Sequence, residues 1–245
     1  MKHHFLDRYA HLKSPIHSIN TTVKLLITVI FVVSVVAIPR MSLEKFIFCV
    51  FFVAFLLFLS HVPVIYFLRN LLVLLPFVVL AGVSLLLTKE GEPLVRFYFV
   101  SIYEESLRRF LNVVSRSLIS LSIVQIFITT TRFDALLDAL RTFKLPDMIL
   151  ELFSFIYRYV FILSDELMRS KMAAVSRGSI DVRVWSHILR GAIVRSYERG
   201  RLIYLSMKAR GFEGEFRTLK RSKIGLSDIL KGVFAGVFVI LLWKI

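Results

Sequence analysis

An all-α, polytopic membrane fold is what this sequence predicts, and three observations carry that expectation. Hydrophobic residues make up 57% of the 245-residue chain, Phe alone occurs 23 times, and the mean hydropathy is +0.74. Soluble domains sit nearer half apolar. The apolar residues arrive in blocks, at 25–38, 46–59 and 71–87. Spans need such blocks, because lipid offers backbone groups no hydrogen-bonding partner. After Thr131 the character changes: residues 132–231 carry 19 of the 32 Lys and Arg and are too polar to cross a lipid core. The expected division is a bundle of four spans at 1–131, a cytoplasmic helical domain at 132–225, and a fifth span at 226–245.

Each element has its own signal. Lys24 and Pro39 bracket the first run, the second ends near His61-Val62-Pro63, and the third runs from about Phe67 to Leu87. Residues 88–109 mix Glu90, Glu92, Glu104 and Glu105 with bases, so a water-exposed loop is expected there. The fourth span, about 111–130, contains Arg116, several Ser and Gln125, which should face the bundle rather than lipid. Apolar residues return at 229–243, with Trp243 placed for an interface. The N-terminus, Met1-Lys-His-His-Phe-Leu-Asp-Arg, lacks the apolar core of a signal peptide.

In the basic stretch, a short helix at 133–143 is followed by Pro146, a residue suited to a helix start. Ile149, Leu152, Phe153, Ile156, Val160, Leu163 and Leu167 then recur at steps of three and four. That stripe predicts an amphipathic helix to about Arg177, stopped by Gly178. A second helix from Asp181 or Val182 presents Trp185, Leu189, Ile193, Tyr197, Ile203 and Met207, and stops at Arg210-Gly211.

The formal charge of +15 concentrates outside the apolar blocks, which fits the positive-inside rule and contact with anionic cytoplasmic lipid. It puts the N-terminus and residues 132–231 in the cytoplasm. Nucleic acid is not an expected partner, since no aromatic platform accompanies the bases. Catalytic signatures are missing. There is no phosphate loop, so the chain cannot be its own ATPase, and there is no His-Glu-x-x-His, Cys cluster or nucleophile elbow. His3, His4, His11 and His17 could bind a divalent metal weakly, but no metal site is assigned. Cys49, the one cysteine, lies in an apolar run and reads as an inert thiol.

The candidate site is the pair of helix ends, Ser176-Arg177-Gly178 and Ala209-Arg210-Gly211. Arg at a helix C-terminus complements the negative end of the dipole and offers a five-donor fork for a carboxylate. Ordinary capping chemistry produces the same dipeptide, and Arg190-Gly191 and Arg199-Gly200 occur nearby. Context distinguishes the two ends.

The string Arg195-Ser-Tyr-Glu-Arg-Gly-Arg-Leu-Ile-Tyr-Leu-Ser-Met-Lys-Ala-Arg-Gly-Phe-Glu-Gly resembles the signature of the transmembrane T component of energy-coupling factor (ECF) transporters, in its CbiQ-like cobalt/nickel branch. Asp7-Arg-Tyr-Ala-His-Leu-Lys-Ser-Pro-Ile-His-Ser-Ile-Asn with Val23-Lys-Leu-Leu is similar to that family's N-terminal segment. Thr129-Thr-Thr-Arg-Phe-Asp-Ala-Leu-Leu-Asp-Ala-Leu-Arg resembles its entry into the coupling domain, and Tyr157-Arg-Tyr with Asp165-Glu-Leu-Met-Arg its first long helix. Two departures stand out: Asn20-Thr21 replaces a frequent Asp-Pro, and Ser176 replaces Ala or Arg.

The resemblance implies a non-catalytic transporter subunit that binds no cofactor. Its two long helices would cross, and Arg177 and Arg210 would each dock in a groove of one of two cytoplasmic ATP-binding ATPase subunits. Those partners would hydrolyse the ATP and drive a substrate-binding S component, CbiM-like, with a small CbiN-like subunit as an optional companion. A T component serving a vitamin is the near alternative. A membrane enzyme acting on anionic lipid, with Arg108, Arg109 and Arg116 gathering head groups and Glu104 or Glu105 as base, is the distant one.

Overall fold

A computed structural model describes residues 9, 12, 14–38, 42–86, 93–97, 100–178, 181–212 and 225–244. Eight helices occupy most of them: α1 Thr21–Ala37, α2 Leu43–Ser60, α3 Val64–Leu86, α4 Glu104–Thr129, α5 Phe133–Thr142, α6 Asp147–Ser176, α7 Val182–Ala209 and α8 Leu226–Lys244. An antiparallel hairpin, β1 Pro93–Phe97 with β2 Val100–Tyr103, precedes α4. The contacts divide the chain into two compact units, one drawn from His4–Leu136 and Ser222–Ile245, the other from Leu137–Arg221.

The first unit is the membrane-type bundle. Among the described residues, α2, α3 and α4 are each long and apolar enough to cross a bilayer, while α1 is a shorter apolar helix of 17 residues. Outer faces are hydrocarbon, with Leu43, Phe58, Ile65 and Leu80 exposed. Such surface is stable against lipid and unstable against water.

The centre is α4, which packs on α1, α2 and α3. Ile119, Ile123 and Ile126 meet Phe31, Val35, Cys49, Phe52 and Phe67 in one buried cluster. The Phe52 and Phe238 rings stack at 3.8 Å between centroids, and Phe48 and Phe238 at 4.4 Å, tying α8 to α2. Gln125 and Ser122 of α4 face inward as expected: Gln125 Nε2 donates to the Phe67 carbonyl at 3.0 Å, and Ser122 Oγ donates to Leu118 at 2.7 Å.

The expectation of a loop at 88–109 is corrected at its C-terminal end. The hairpin fills part of it, and Glu104 and Glu105 form the first turn of α4. Carboxylates there complement the positive end of the helix dipole, and one turn later Arg108 and Arg109 pair with them at 2.8 and 3.6 Å. Of the groups suggested as an acid–base and head-group set, Glu104, Glu105, Arg108 and Arg109 therefore neutralise each other in pairs along α4, while Arg116 reaches the Val36 carbonyl at 3.5 Å.

Two further links close one end of this unit. Asn20, in place of the Asp-Pro pattern, caps α1: its Oδ1 accepts from Thr22 N–H at 3.0 Å, and its own N–H donates to the buried Asp228 of α8 at 3.2 Å. Lys24 is also buried, with Nζ donating to the Thr130 carbonyl at 3.0 Å, at the C-terminal end of α4. Just before α1, His17 Nε2 meets the Tyr9 carbonyl at 3.0 Å and Nδ1 meets Ser14 Oγ at 2.7 Å. Burial holds the pKa of His17 below the ordinary histidine value, and Nε2 is the donor to the Tyr9 carbonyl, since a carbonyl oxygen only accepts.

Candidate functional site: two arginine-ended helices

The second unit is dominated by α6 and α7, helices of 30 and 28 residues that pack on one another. At 1.5 Å per residue each is about 40–45 Å long. Pro146 is the residue before α6 rather than its first turn, and its carbonyl accepts from Ile149 N–H at 3.0 Å. Asp181 caps α7, its carboxylate accepting from Val182 N–H at 2.7 Å.

The two C-termini are near copies. Arg177 ends α6 at φ −89°, ψ 6°, and Gly178 follows at φ +77°. Arg210 ends α7 at φ −91°, ψ 11°, and Gly211 follows at φ +79°. Gly178 N–H donates to Val175 and Gly211 N–H to Lys208, both at 3.0 Å. Phe212 N–H adds a bond back to Met207 at 3.1 Å, which seals the end of α7. This is the left-handed glycine stop that satisfies carbonyls a helix would leave orphaned. No atom lies within 4 Å of a Cβ built on either glycine, so backbone angle and not crowding dictates glycine there.

Ser176, Arg177, Gly178, Ala209, Arg210 and Gly211 are all exposed. Ser176 Oγ bonds back to Ala173 at 3.0 Å. Among the described residues no carboxylate pairs with Arg177 or Arg210. The other two Arg-Gly dipeptides lie inside α7, where Gly191 and Gly200 keep helical angles. Geometry therefore separates two helix-ending pairs from two helix-interior pairs.

Sequence reading missed the clasp that joins the helices. Glu166 of α6, with a side chain 18% exposed, sits between Arg195 and Arg199 of α7; Arg195 Nε bonds Oε1, and Arg199 Nη2 lies 3.3 Å from Oε2. Lys171 Nζ also lies 5.7 Å from the centre of the Trp185 ring. All three clasp residues fall within strings that carried the family resemblance. The available signal was the spacing of Arg195 and Arg199, one helical turn apart on one face.

Beside the clasp runs an apolar groove of about 640 Å³, lined by Leu152, Phe155, Ile156 and Tyr159 of α6 and by Ile203 and Tyr204 of α7. Of the two helices only Leu150 and Ala192 are buried, while Leu152, Phe153, Leu189 and Leu205 stay exposed. The amphipathic stripes are thus largely uncovered. Among the described residues no group of three or more His, Cys, Asp and Glu could hold a metal. His3, His4 and His11 lie outside the described residues.

Comparison with known proteins decides the family. Residues 12–220 match the CbiQ cobalt transport protein family. The chain belongs to the CbiQ family. It is 27% identical over 226 residues to a putative fused cobalt transport protein CbiMQ of Methanocorpusculum labreanum, covering 86% of this chain and 37% of that longer protein. An uncharacterised protein of Methanocaldococcus jannaschii is 23% identical over 97% of this chain and 85% of its own length. The cobalt transport protein CbiQ of Rhodobacter capsulatus is 31% identical over 96 residues, 37% of this chain and 39% of that protein. The CbiQ match includes both arginine-ended helices and the first four membrane-unit helices. The chain is accordingly a membrane protein of a cobalt transport family.

Proposed function

We propose that this CbiQ-family chain is the transmembrane T subunit of an ATP-driven ECF-type importer, with cobalt or nickel as cargo. Residues 1–131 and 226–245 form its membrane part and residues 132–225 its coupling domain. In this reading the N-terminus and coupling domain are cytoplasmic, and Arg177 and Arg210 each enter a groove of one ATPase subunit and meet an acidic residue. ATP hydrolysis on those partners moves α6 and α7, whose apolar faces carry the motion to an S component. The chain itself binds neither nucleotide nor cargo.

The observation that supports this most is the matched pair of helix ends. Two exposed guanidinium groups without a carboxylate partner among the described residues stand at identical left-handed stops. Capping chemistry accounts for each Arg-Gly end taken singly. It gives no reason for the apolar stripes of both helices to lie open beside them. A protein that must grip two acidic grooves and one apolar partner needs both features. The fused relative named CbiMQ supports a CbiM-like component as the S partner.

Metal uptake tests the reading. Truncating one partner of a buried charge pair costs about 2–5 kcal/mol, so Arg177→Ala or Arg210→Ala should each impair cobalt uptake by cells expressing the chain with its neighbouring genes. The double substitution should abolish it. Uptake of cobalt at the wild-type rate by the double variant, present in membranes at wild-type level, would defeat the assignment.

A further inference from the structure

Inside the membrane-type unit, α1, α2 and α4 leave a cavity of about 450 Å³. Ligand pockets are about 300–1,000 Å³, so the space is large enough to be used. Its wall is hydrocarbon, including Ile27, Phe31, Leu59, Ile123 and Ile126, and one end is polar: Lys24, Thr28 and Thr130. Phe55 and Leu56, also on the wall, belong to α2, a helix long and apolar enough to cross a bilayer, so the cavity lies in the part of the unit that acyl chains would surround.

The two threonines have spent their hydroxyl protons. Thr28 Oγ1 donates to the Lys24 carbonyl at 2.9 Å and Thr130 Oγ1 to the Ile126 carbonyl at 2.7 Å. Lys24 is different. It is only 8% exposed, its Nζ donates to the Thr130 carbonyl at 3.0 Å and lies 3.5 Å from Thr130 Oγ1, and no carboxylate pairs with it among the described residues. An ammonium carries three N–H donors; the carbonyl and dipole at the C-terminal end of α4 answer part of its charge, and donor capacity and the rest of the charge have no counter-ion among the described residues. Burying such a charge without a counter-ion is expensive.

We propose that this cavity is a lipid site: one acyl chain of an anionic phospholipid fills the hydrocarbon wall and its head-group phosphate neutralises Lys24. Charge complementarity selects the occupant. A hydrocarbon tail alone leaves the ammonium unpaired, and a free anion leaves the apolar wall empty. An anionic lipid answers both, and the membrane supplies it. The lipid would wedge against α1, α2 and α4 together, at the end of α4 that continues through Thr131 into α5.

The test is native mass spectrometry of the full-length chain, delipidated in detergent and titrated separately with phosphatidylglycerol and phosphatidylcholine. The wild type should bind one phosphatidylglycerol about fivefold more tightly than phosphatidylcholine, the factor expected of one lysine near anionic lipid. Lys24→Gln should erase the preference. Leu59→Trp, which fills the cavity and leaves Lys24 in place, should remove the bound lipid; if Lys24→Gln fails to fold, this variant decides. Equal wild-type affinity for the two lipids, a preference that survives Lys24→Gln, or undiminished binding in Leu59→Trp would each overturn the proposal.

Discussion

Glycines at 178, 200 and 211 follow arginine in the sequence, yet only two of them are required by the backbone. Gly178 and Gly211 hold φ of +77° and +79°, whereas Gly200 sits in the interior of α7. A side chain with Cβ in the left-handed region costs about 1–2 kcal/mol, and a branched one suffers most. Gly211→Val should therefore lower the thermal stability of the detergent-solubilised chain. Gly200→Ala, with nothing within 4 Å of its new Cβ, should leave it unchanged or raise it by about 0.5–1 kcal/mol. Differential scanning of both variants beside the wild type checks this; equal melting points for Gly211→Val and wild type would contradict it. At this scale the sequence was legible where chemistry is local. The tie of the Asn20 N–H to Asp228 and the role of Lys24 as a buried donor were not, because the partners, Asp228 and Thr130, are distant in the chain.

Helices were the most legible level. The periodic stripe from Ile149 to Leu167 and the stops at Arg177 and Arg210 match α6 and α7 to within a residue or two at each end. The start of α4 was harder, since Glu104, Glu105, Arg108 and Arg109 look like loop until their i,i+4 pairing is seen. Pairing between helices was invisible: a stripe says that a helix is amphipathic, not what covers it. The clasp of Glu166 with Arg195 and Arg199 is the contact to test. Both arginines are partly exposed, 45% and 39%, so solvent screens the pairs. A double-mutant cycle of Glu166→Ala with Arg195→Ala should give a coupling of about 0.5–1 kcal/mol in urea unfolding. Strict additivity would show that the clasp contributes nothing to holding α6 on α7.

For the whole molecule, hydropathy revealed the membrane bundle because lipid acts on every residue of a span, and α2, α3 and α4 meet the requirement individually. Function came from a different source. No catalytic constellation stands in the sequence, and the exposed ends of α6 and α7 acquire meaning only with partners attached. In the proposed reading of this CbiQ-family chain, the twin arginine ends transmit work that partner subunits perform. On that proposal the exposed groups are half of an interface, which is why they are left open.

The central claim is tested most directly by co-purification. The chain would be extracted from membranes of cells expressing it with its neighbouring genes, wild type beside the Arg177→Glu/Arg210→Glu double variant. Two ATPase copies and a small membrane subunit recovered with the wild type, and the ATPases lost from the variant, is the predicted result. An undiminished yield of ATPase with the double variant, or no nucleotide-binding protein with the wild type, would contradict it.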